Sequence, residues 1–460
     1  MLDAIQWDST LIRRYDQAGP RYTSYPTAVQ FHPRISQFDL LHALRESRKA
    51  LRPLSLYVHI PFCAHVCYYC ACNKVVTKDR GRAQPYLDKL LREIEIIGRH
   101  LNRDQVVEQL HFGGGTPTFL SHDELRQLMT QLRQHFNLLD DDSGDYSIEI
   151  DPREADWSTM GLLRELGFNR VSLGVQDLEP AVQRAINRLQ TLEETRAIVE
   201  AARTLQFRSI NIDLIYGLPL QTPERFARTV AEVIALQPDR LSLFNYAHLP
   251  ERFMPQRRIN TSDLPSPADK LAMLQASIEQ LSAAGYRYIG MDHFALADDE
   301  LACAQEDGSL QRNFQGYTTH GHCDLIGLGV SSISQIGDLY CQNNSDLSQY
   351  QDCLEHNELA TTRGLHCDSD DRLRRAVIQQ LICHFQLRFA DIELAYSIDF
   401  RSYFADVWPQ LQQMANDGLI ELTDQHINVQ PAGRLLVRSL CMLFDRYLDE
   451  INRQRFSRVI

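Results

Sequence analysis

Short apolar runs alternate with longer amphipathic stretches through the first half of the chain. Residues 56–60, 109–112, 146–150, 170–175, 209–215 and 240–245 are dense in Val, Ile, Leu, Phe and Tyr and read as strands. Between them, segments such as 86–97 (YLDKLLREIEII) repeat apolar residues at helical spacing. Six β–α units in series predict an α/β fold with a parallel sheet and right-handed crossovers. The sheet either closes partly into a barrel or lies open in a doubly wound fold. A seventh apolar run, 286–294, is a candidate to extend it.

Each predicted strand runs from apolar residues into polar or glycine-rich ones. Cys63 follows the first, Gly113, Gly114, Gly115 and Thr116 the second, and Glu149 sits on the third; Gln176 and Asp177 end the fourth, Asp213 lies on the fifth, and Asn245 and His248 close the sixth. Taken singly, a glycine run is a tight turn and a carboxylate is a salt-bridge partner. Their recurrence at the same strand end points to one shared site, because ligands in parallel α/β folds bind at the carboxyl ends of strands.

The most specific chemistry is Cys63-x3-Cys67-x2-Cys70. Three thiolates at this spacing suit a [4Fe-4S] cluster with one iron left open, or zinc. Structural zinc sites usually join two ligand arms well apart in sequence, and no second arm is evident. Cys72 is near enough to be a fourth ligand of a closed, ferredoxin-like cluster. A disulfide needs an oxidising compartment, and the start of the chain has no basic region followed by an apolar run. The spacing favours an open cluster over zinc, and zinc over a disulfide.

Composition narrows the setting. A chain of 460 residues, 44% hydrophobic and without an apolar stretch long enough to span a bilayer, is expected to be soluble, cytoplasmic and divided into more than one domain. A net charge of −13 argues against a nucleic-acid or anionic-membrane partner, so an anionic substrate requires a local basic pocket. Seven of the eleven cysteines are scattered beyond residue 300 without tight spacing, which disfavours a disulfide framework. From about residue 365 the pattern changes to helices at 372–382 and 403–414, a hairpin at 418–430 and a final helix from 431. The hairpin after helices suggests a winged helix. However, this region has no lysine and interleaves its arginines with carboxylates, so a lid or packing domain is expected instead.

The cysteine triplet, the aromatic before its third member and the following GGGTP resemble the radical S-adenosylmethionine (SAM) superfamily. Residues 19–27 (GPRYTSYPT), 57–63 (YVHIPFC), 70–74 (CACNK), 245–250 (NYAHLP), 312–318 (RNFQGYT) and 456–460 (FSRVI) are similar to the bacterial oxygen-independent coproporphyrinogen III oxidase family. That resemblance implies a partial (β/α)6 TIM-like barrel with an N-terminal extension and a mainly helical C-terminal domain. It divides the chain into residues 1–47 over the barrel mouth, the barrel at 48–300, a connecting region at 301–364 contributing to the SAM site, and the C-terminal domain at 365–460. It implies that a 5′-deoxyadenosyl radical from SAM takes hydrogen from the β-carbon of a propionate, which loses carbon dioxide and an electron to become a vinyl group. Two propionates of coproporphyrinogen III react, giving protoporphyrinogen IX in haem biosynthesis. An electron donor and an acceptor are also implied, as is a monomer.

By position, the resemblance assigns Cys63, Cys67 and Cys70 to the cluster and leaves Cys72 out. It assigns Tyr57, Gly114, Glu149 and Ile333 to a first SAM, and Tyr69, Gly115, Thr116, Gln176, Arg188, Asp213 and Ala247 to a second. Tyr69 and Ala71 stand where the family more often has Phe and Gly; neither change removes a group the chemistry requires. Four propionates call for cations, and Arg21, then Arg312, are the candidates for them. The rival within the superfamily is a haem-binding chaperone without oxidase activity. Such relatives generally lack the 19–27 segment and a cysteine equivalent to Cys72, both present here.

Overall fold

The computed structural model describes residues 5–448 and Arg458. The motif at 456–460 therefore lies outside the described residues, save Arg458. Contacts divide the chain into two units: one holds residues 31–280 and 322–366, the other the described parts of 1–30, 281–321 and 367–460. This partition cuts across the four linear segments expected from sequence. Residues 31–47 group with the barrel strands, and 281–321 group with both ends of the chain.

In the larger unit all six expected strands form: β1 (Leu54–Ile60), β2 (Val106–Gly114), β3 (Asp145–Ile150), β4 (Arg170–Gln176), β5 (Ser209–Tyr216) and β6 (Arg240–Asn245). They run parallel, each beside its predecessor, in the order β6-β5-β4-β3-β2-β1. A doubly wound sheet reverses its order at a switch point; this uninterrupted sequence is that of a partial barrel wall. The free edge of β1 takes four further strands from the region expected to be a connector. β7 (Asp324–Leu328) is parallel to β1, and β8 (Ile333–Ile336), β9 (Leu339–Asn343) and β10 (Thr361–His366) continue antiparallel.

Period-two side-chain alternation sets the faces of this wall. On β3, Tyr146, Ile148 and Ile150 are buried whereas Asp145, Ser147 and Glu149 are half-buried. On β5, Asn211, Asp213 and Ile215 are the half-buried set. The surrounding helices have explicit starts. Ser121 with Glu124 and Thr191 with Glu194 form capping boxes on helices His122–His135 and Leu192–Thr204, and Thr222 caps Pro223–Ala235, each cap contributing about 1 kcal/mol. Helix Ala83–Gly98 buries Tyr86, Leu87, Leu90, Ile94 and Ile97 on one face.

In the second unit, helix Ser369–His384 is followed by a small antiparallel sheet of Gln386–Arg388, Ile420–Leu422 and His426–Val429. The helix expected at 403–414 is broken in two, Phe400–Tyr403 and Trp408–Asn416, with Pro409 in the first turn of the second, where its missing N–H costs nothing. The final helix starts later than its apolar pattern suggested: a 3-10 turn at Arg434–Leu436 precedes Val437–Cys441. The apolar run at 286–294 divides into an antiparallel hairpin, Tyr286–Gly290 with His293–Leu296. No helix among the described residues is long and apolar enough to cross a membrane.

Candidate active site at the carboxyl ends of the strands

The cysteine loop leaves the end of β1 and is pinned at both ends. Phe62 and Cys63 pair with Val75 and Val76, and the Val75 and Thr77 amides donate to the Pro61 and Cys63 carbonyls at 2.7 and 2.9 Å. The loop is also tied to the segment after β4, where the Tyr68 amide donates to the Ile186 carbonyl (2.9 Å) and Asn187 Nδ2 to that of Val66 (2.7 Å). Cys63, Cys67 and Cys70 thereby line one cavity of about 300 Å³. The hydrogen bond from Cys72 pulls the Cys70 thiol down to about 5, the Lys74 ammonium assisting, whereas burial pushes Cys63 up to about 11. Cys70 is thus biased toward its thiolate form.

The glycine turn after β2 closes against the exit of β1. Gly115 and Thr116 amides donate to the Ile60 and Phe62 carbonyls at 2.8 and 2.7 Å, and Thr116 Oγ1 reaches Cys63 Sγ at 3.6 Å. A Cβ at Gly115 would lie 2.7 Å from the Phe62 carbonyl oxygen and 2.8 Å from Pro61 backbone atoms, none of which belongs to a movable side chain. Gly115→Ala is therefore expected to cost about 3 kcal/mol in urea unfolding. Gly161→Ala, in helix Trp157–Leu166 with nothing within 4 Å of its added methyl, should be neutral or stabilising.

Carboxylates and guanidiniums from the next strands complete the lining. Glu149 Oε2 accepts from the Gly114 amide at 3.1 Å and Oε1 faces His111 Nε2 at 3.4 Å; these contacts lower its pKa against the opposing effect of burial. Its side chain is 43% exposed, facing the cavity it lines. Burial raises Asp213 to about 6 although Asn211 and Ser172 donate to it at 2.8 and 3.2 Å. The register of β4 slips between Gly174 and Gln176, and Gln176 takes a positive φ of 69°. This bulge turns Gln176 into the cavity, where its buried Oε1 has no partner within the protein.

Arg188 is 5% exposed. Its Nη1 lies 2.9 Å from Asp151 Oδ2 and 3.6 Å from Cys67 Sγ, its Nη2 donates to the Gly174 carbonyl, and its Nε is unpartnered. Arg153 binds the same carboxylate at 2.6 Å and lies 3.8 Å from Cys67 Sγ. Asp151, held by two guanidiniums that outweigh its burial, falls to about 2. The sequence reading overlooked Asp151 and Arg153. Their signal was Asp151-Pro152-Arg153 at the end of β3, the same kind of strand end that singled out Glu149.

The cavity unites Tyr69, Gly114, Gly115, Thr116, Glu149 and Gln176 with Arg188, Asp213 and the three cysteines. The other three candidates lie off its lining. Tyr57 stacks on His111 and donates to His59 Nδ1 at 3.1 Å. Ala247 gives its carbonyl to Gln256, which also holds the Tyr69 carbonyl. Ile333 begins β8, its backbone pressed so close to Gly327 that a Cβ there would be 2.5 Å from its oxygen. Arg21 and Arg312 belong to the second unit. Arg21 pairs with Asp292, while Arg312 is buried over the Tyr317 ring with Nε and Nη1 unpartnered.

Residues 57–233 match the radical SAM superfamily, and 367–436 match the HemN C-terminal domain. A Pseudomonas aeruginosa oxygen-independent coproporphyrinogen III oxidase is 77% identical over 460 residues, covering 100% of both chains. The Escherichia coli oxygen-independent coproporphyrinogen III oxidase is 50% identical over 462 residues, covering 99% of each. The chain belongs to the oxygen-independent coproporphyrinogen III oxidase family. A solved structure of the coproporphyrinogen III oxidase from E. coli, described as a radical SAM enzyme, superposes with a TM-score of 0.92 at 48% identity, covering 97% of this chain and 100% of that one.

Membership of the coproporphyrinogen III oxidase family makes the chain an oxidoreductase of haem biosynthesis that decarboxylates propionate side chains oxidatively, with SAM and a [4Fe-4S] cluster as its cofactors. The cavity suits those cofactors. It offers soft sulfur donors on one loop, backbone made accessible by glycine, the orphaned Gln176 Oε1 as an acceptor and the unpartnered Arg188 Nε as a donor.

Proposed function

We propose that Cys63, Cys67 and Cys70 hold the cluster by three irons, leaving the fourth open to SAM, and that the remaining cavity residues hold two SAM molecules. When bound, cluster and SAM supply a 5′-deoxyadenosyl radical that removes hydrogen from a propionate β-carbon. The observation that carries this reading is the convergence of three thiols, a glycine turn and the charged side chains of Glu149, Arg188 and Asp213 at the carboxyl ends of neighbouring parallel strands.

In this reading each side chain has a task. The Gly114 and Gly115 backbone admits close approach of the methionyl portion, and Glu149 accepts from its amino group. Tyr57 and Ile333 complete the first SAM site. Tyr69, Thr116, Gln176, Arg188, Asp213 and Ala247 serve the second, with Arg188 on a carboxylate and Asp213 on an adenosyl donor. Arg188 and Arg153 also place positive charge beside the Cys67 sulfur. Cys72 stays outside the ligand set and lowers the Cys70 pKa by donating a hydrogen bond. Arg21 and Arg312 take substrate propionates; the two unpartnered nitrogens of buried Arg312 support its part. The substrate is coproporphyrinogen III, handled by a cytoplasmic monomer with a separate electron donor and acceptor.

The test is anaerobic incubation of reconstituted protein with SAM, a reductant and coproporphyrinogen III. Protoporphyrinogen IX and 5′-deoxyadenosine should form together. Deoxyadenosine without any vinyl product would reject this substrate assignment while retaining the radical chemistry.

A further inference from the structure

At the opposite end of β1 from the cysteine loop, three metal-binding side chains meet. Across the β1–β2 ladder Val107 faces Leu54 and Gln109 faces Ser55, so Glu108 is the extra residue of a bulge. Such a bulge redirects the side chain it carries. On the other flank of β1, Asp324 of β7 pairs with the same Leu54, and His322 and Cys323 immediately precede it. His322 Nε2 lies 2.7 Å and Cys323 Sγ 3.5 Å from Glu108 Oε2, and one donor atom from each residue falls within 4.8 Å of the others. The length of β1, roughly 20 Å, separates this cluster from Cys63.

We propose that Glu108, His322 and Cys323 form a second metal site that takes zinc. A thiolate, an imidazole and a carboxylate are the donor set of a tetrahedral zinc ion with one position left for water. The hard oxygen-only sets of magnesium and calcium do not match it. Water has access, since the His322 and Glu108 side chains are 55% and 31% exposed. Asp324 is already engaged, accepting from Arg52 Nε and the Gly337 amide at 2.7 and 2.9 Å, so it leaves the three donors to act alone. Without a cation, burial and the adjacent Glu108 carboxylate keep the Cys323 thiol protonated. Zinc replaces that proton, which passes to solvent, and removes the repulsion between thiolate and carboxylate. The ion then braces β2 to β7 across the first residues of β1.

The experiment uses the full chain carrying its iron–sulfur cluster, incubated anaerobically with zinc chloride, desalted, and analysed for zinc and iron. One zinc per chain should be retained without loss of iron, and zinc K-edge absorption should report a single sulfur neighbour at about 2.3 Å. Cys323→Ser and His322→Asn should each reduce retained zinc at least ten-fold while keeping the cluster chromophore, which certifies their folding. Cys303→Ser, at an exposed cysteine of the other unit, should retain zinc as the parent does. Absence of retained zinc, equal retention by Cys323→Ser, or several sulfur neighbours with loss of iron would each overturn the proposal.

Discussion

Cys67→Ala is expected to yield protein without an iron–sulfur chromophore and with turnover reduced more than about 10³-fold, because no other group generates the radical. Cys67 is 8% exposed, lines the cavity, and has two guanidinium groups within 3.8 Å of its sulfur. Cys72 contrasts with it. The residue also lines the cavity but is exposed, stands two positions beyond Cys70 and so outside the C-x3-C-x2-C set, and engages Cys70 by a hydrogen bond. Cys72→Ala should therefore retain iron. Removing its hydrogen bond raises the Cys70 pKa, so cluster assembly in this variant should slow relative to the parent as the pH is lowered. Iron analysis after anaerobic reconstitution distinguishes the two cases. Loss of iron from Cys72→Ala as complete as from Cys67→Ala would make Cys72 a ligand.

The parts of the site legible from sequence are those written in local pattern. Strands β1 to β6 carry apolar runs bounded by turns, and their polar ends announced Cys63, the glycine turn, Glu149, Gln176 and Asp213. What escaped depends on contacts far apart in sequence. β7 to β10 are only four to six residues long, so no periodicity distinguishes them from a connecting loop. Glu93 lies on the buried face of helix Ala83–Gly98, where its spacing predicts an apolar residue. Its carboxylate accepts from the Gly329 amide (2.7 Å), Asn343 Nδ2 (2.6 Å) and Tyr350 hydroxyl (2.7 Å), all more than 200 residues away. Such a network compensates burial of a charge, but nothing near position 93 encodes its partners. The helix predicted at 403–414 fails for a local reason: residues 403–414 carry helical apolar spacing, but Pro409 has no N–H to continue a helix and instead sits in the first turn of a new one at Trp408.

Arg188→Met should lower both stability and SAM-dependent turnover, and its pH dependence identifies the cause. Removing one member of a buried ion pair costs about 3–5 kcal/mol when the other is left without compensation. Here Arg153 still holds Asp151 at 2.6 Å, so a loss of about 2–3 kcal/mol is expected at pH 7. Asp151 sits at about 2 in the folded chain, below the ordinary 3.8. Its contribution to stability is accordingly complete above pH 4 and is lost as the pH falls from about 4 toward 2. The difference in unfolding free energy between parent and Arg188→Met should shrink over that acid interval. Asp151→Asn should remove the same electrostatic gain at pH 7. The double variant should then cost less than the sum of the two single changes, since each single change already breaks the contact. Strictly additive costs would show that Arg188 and Asp151 act separately. Arg188 would then owe its effect to the Gly174 carbonyl and the Cys67 sulfur, the contacts that remain to it.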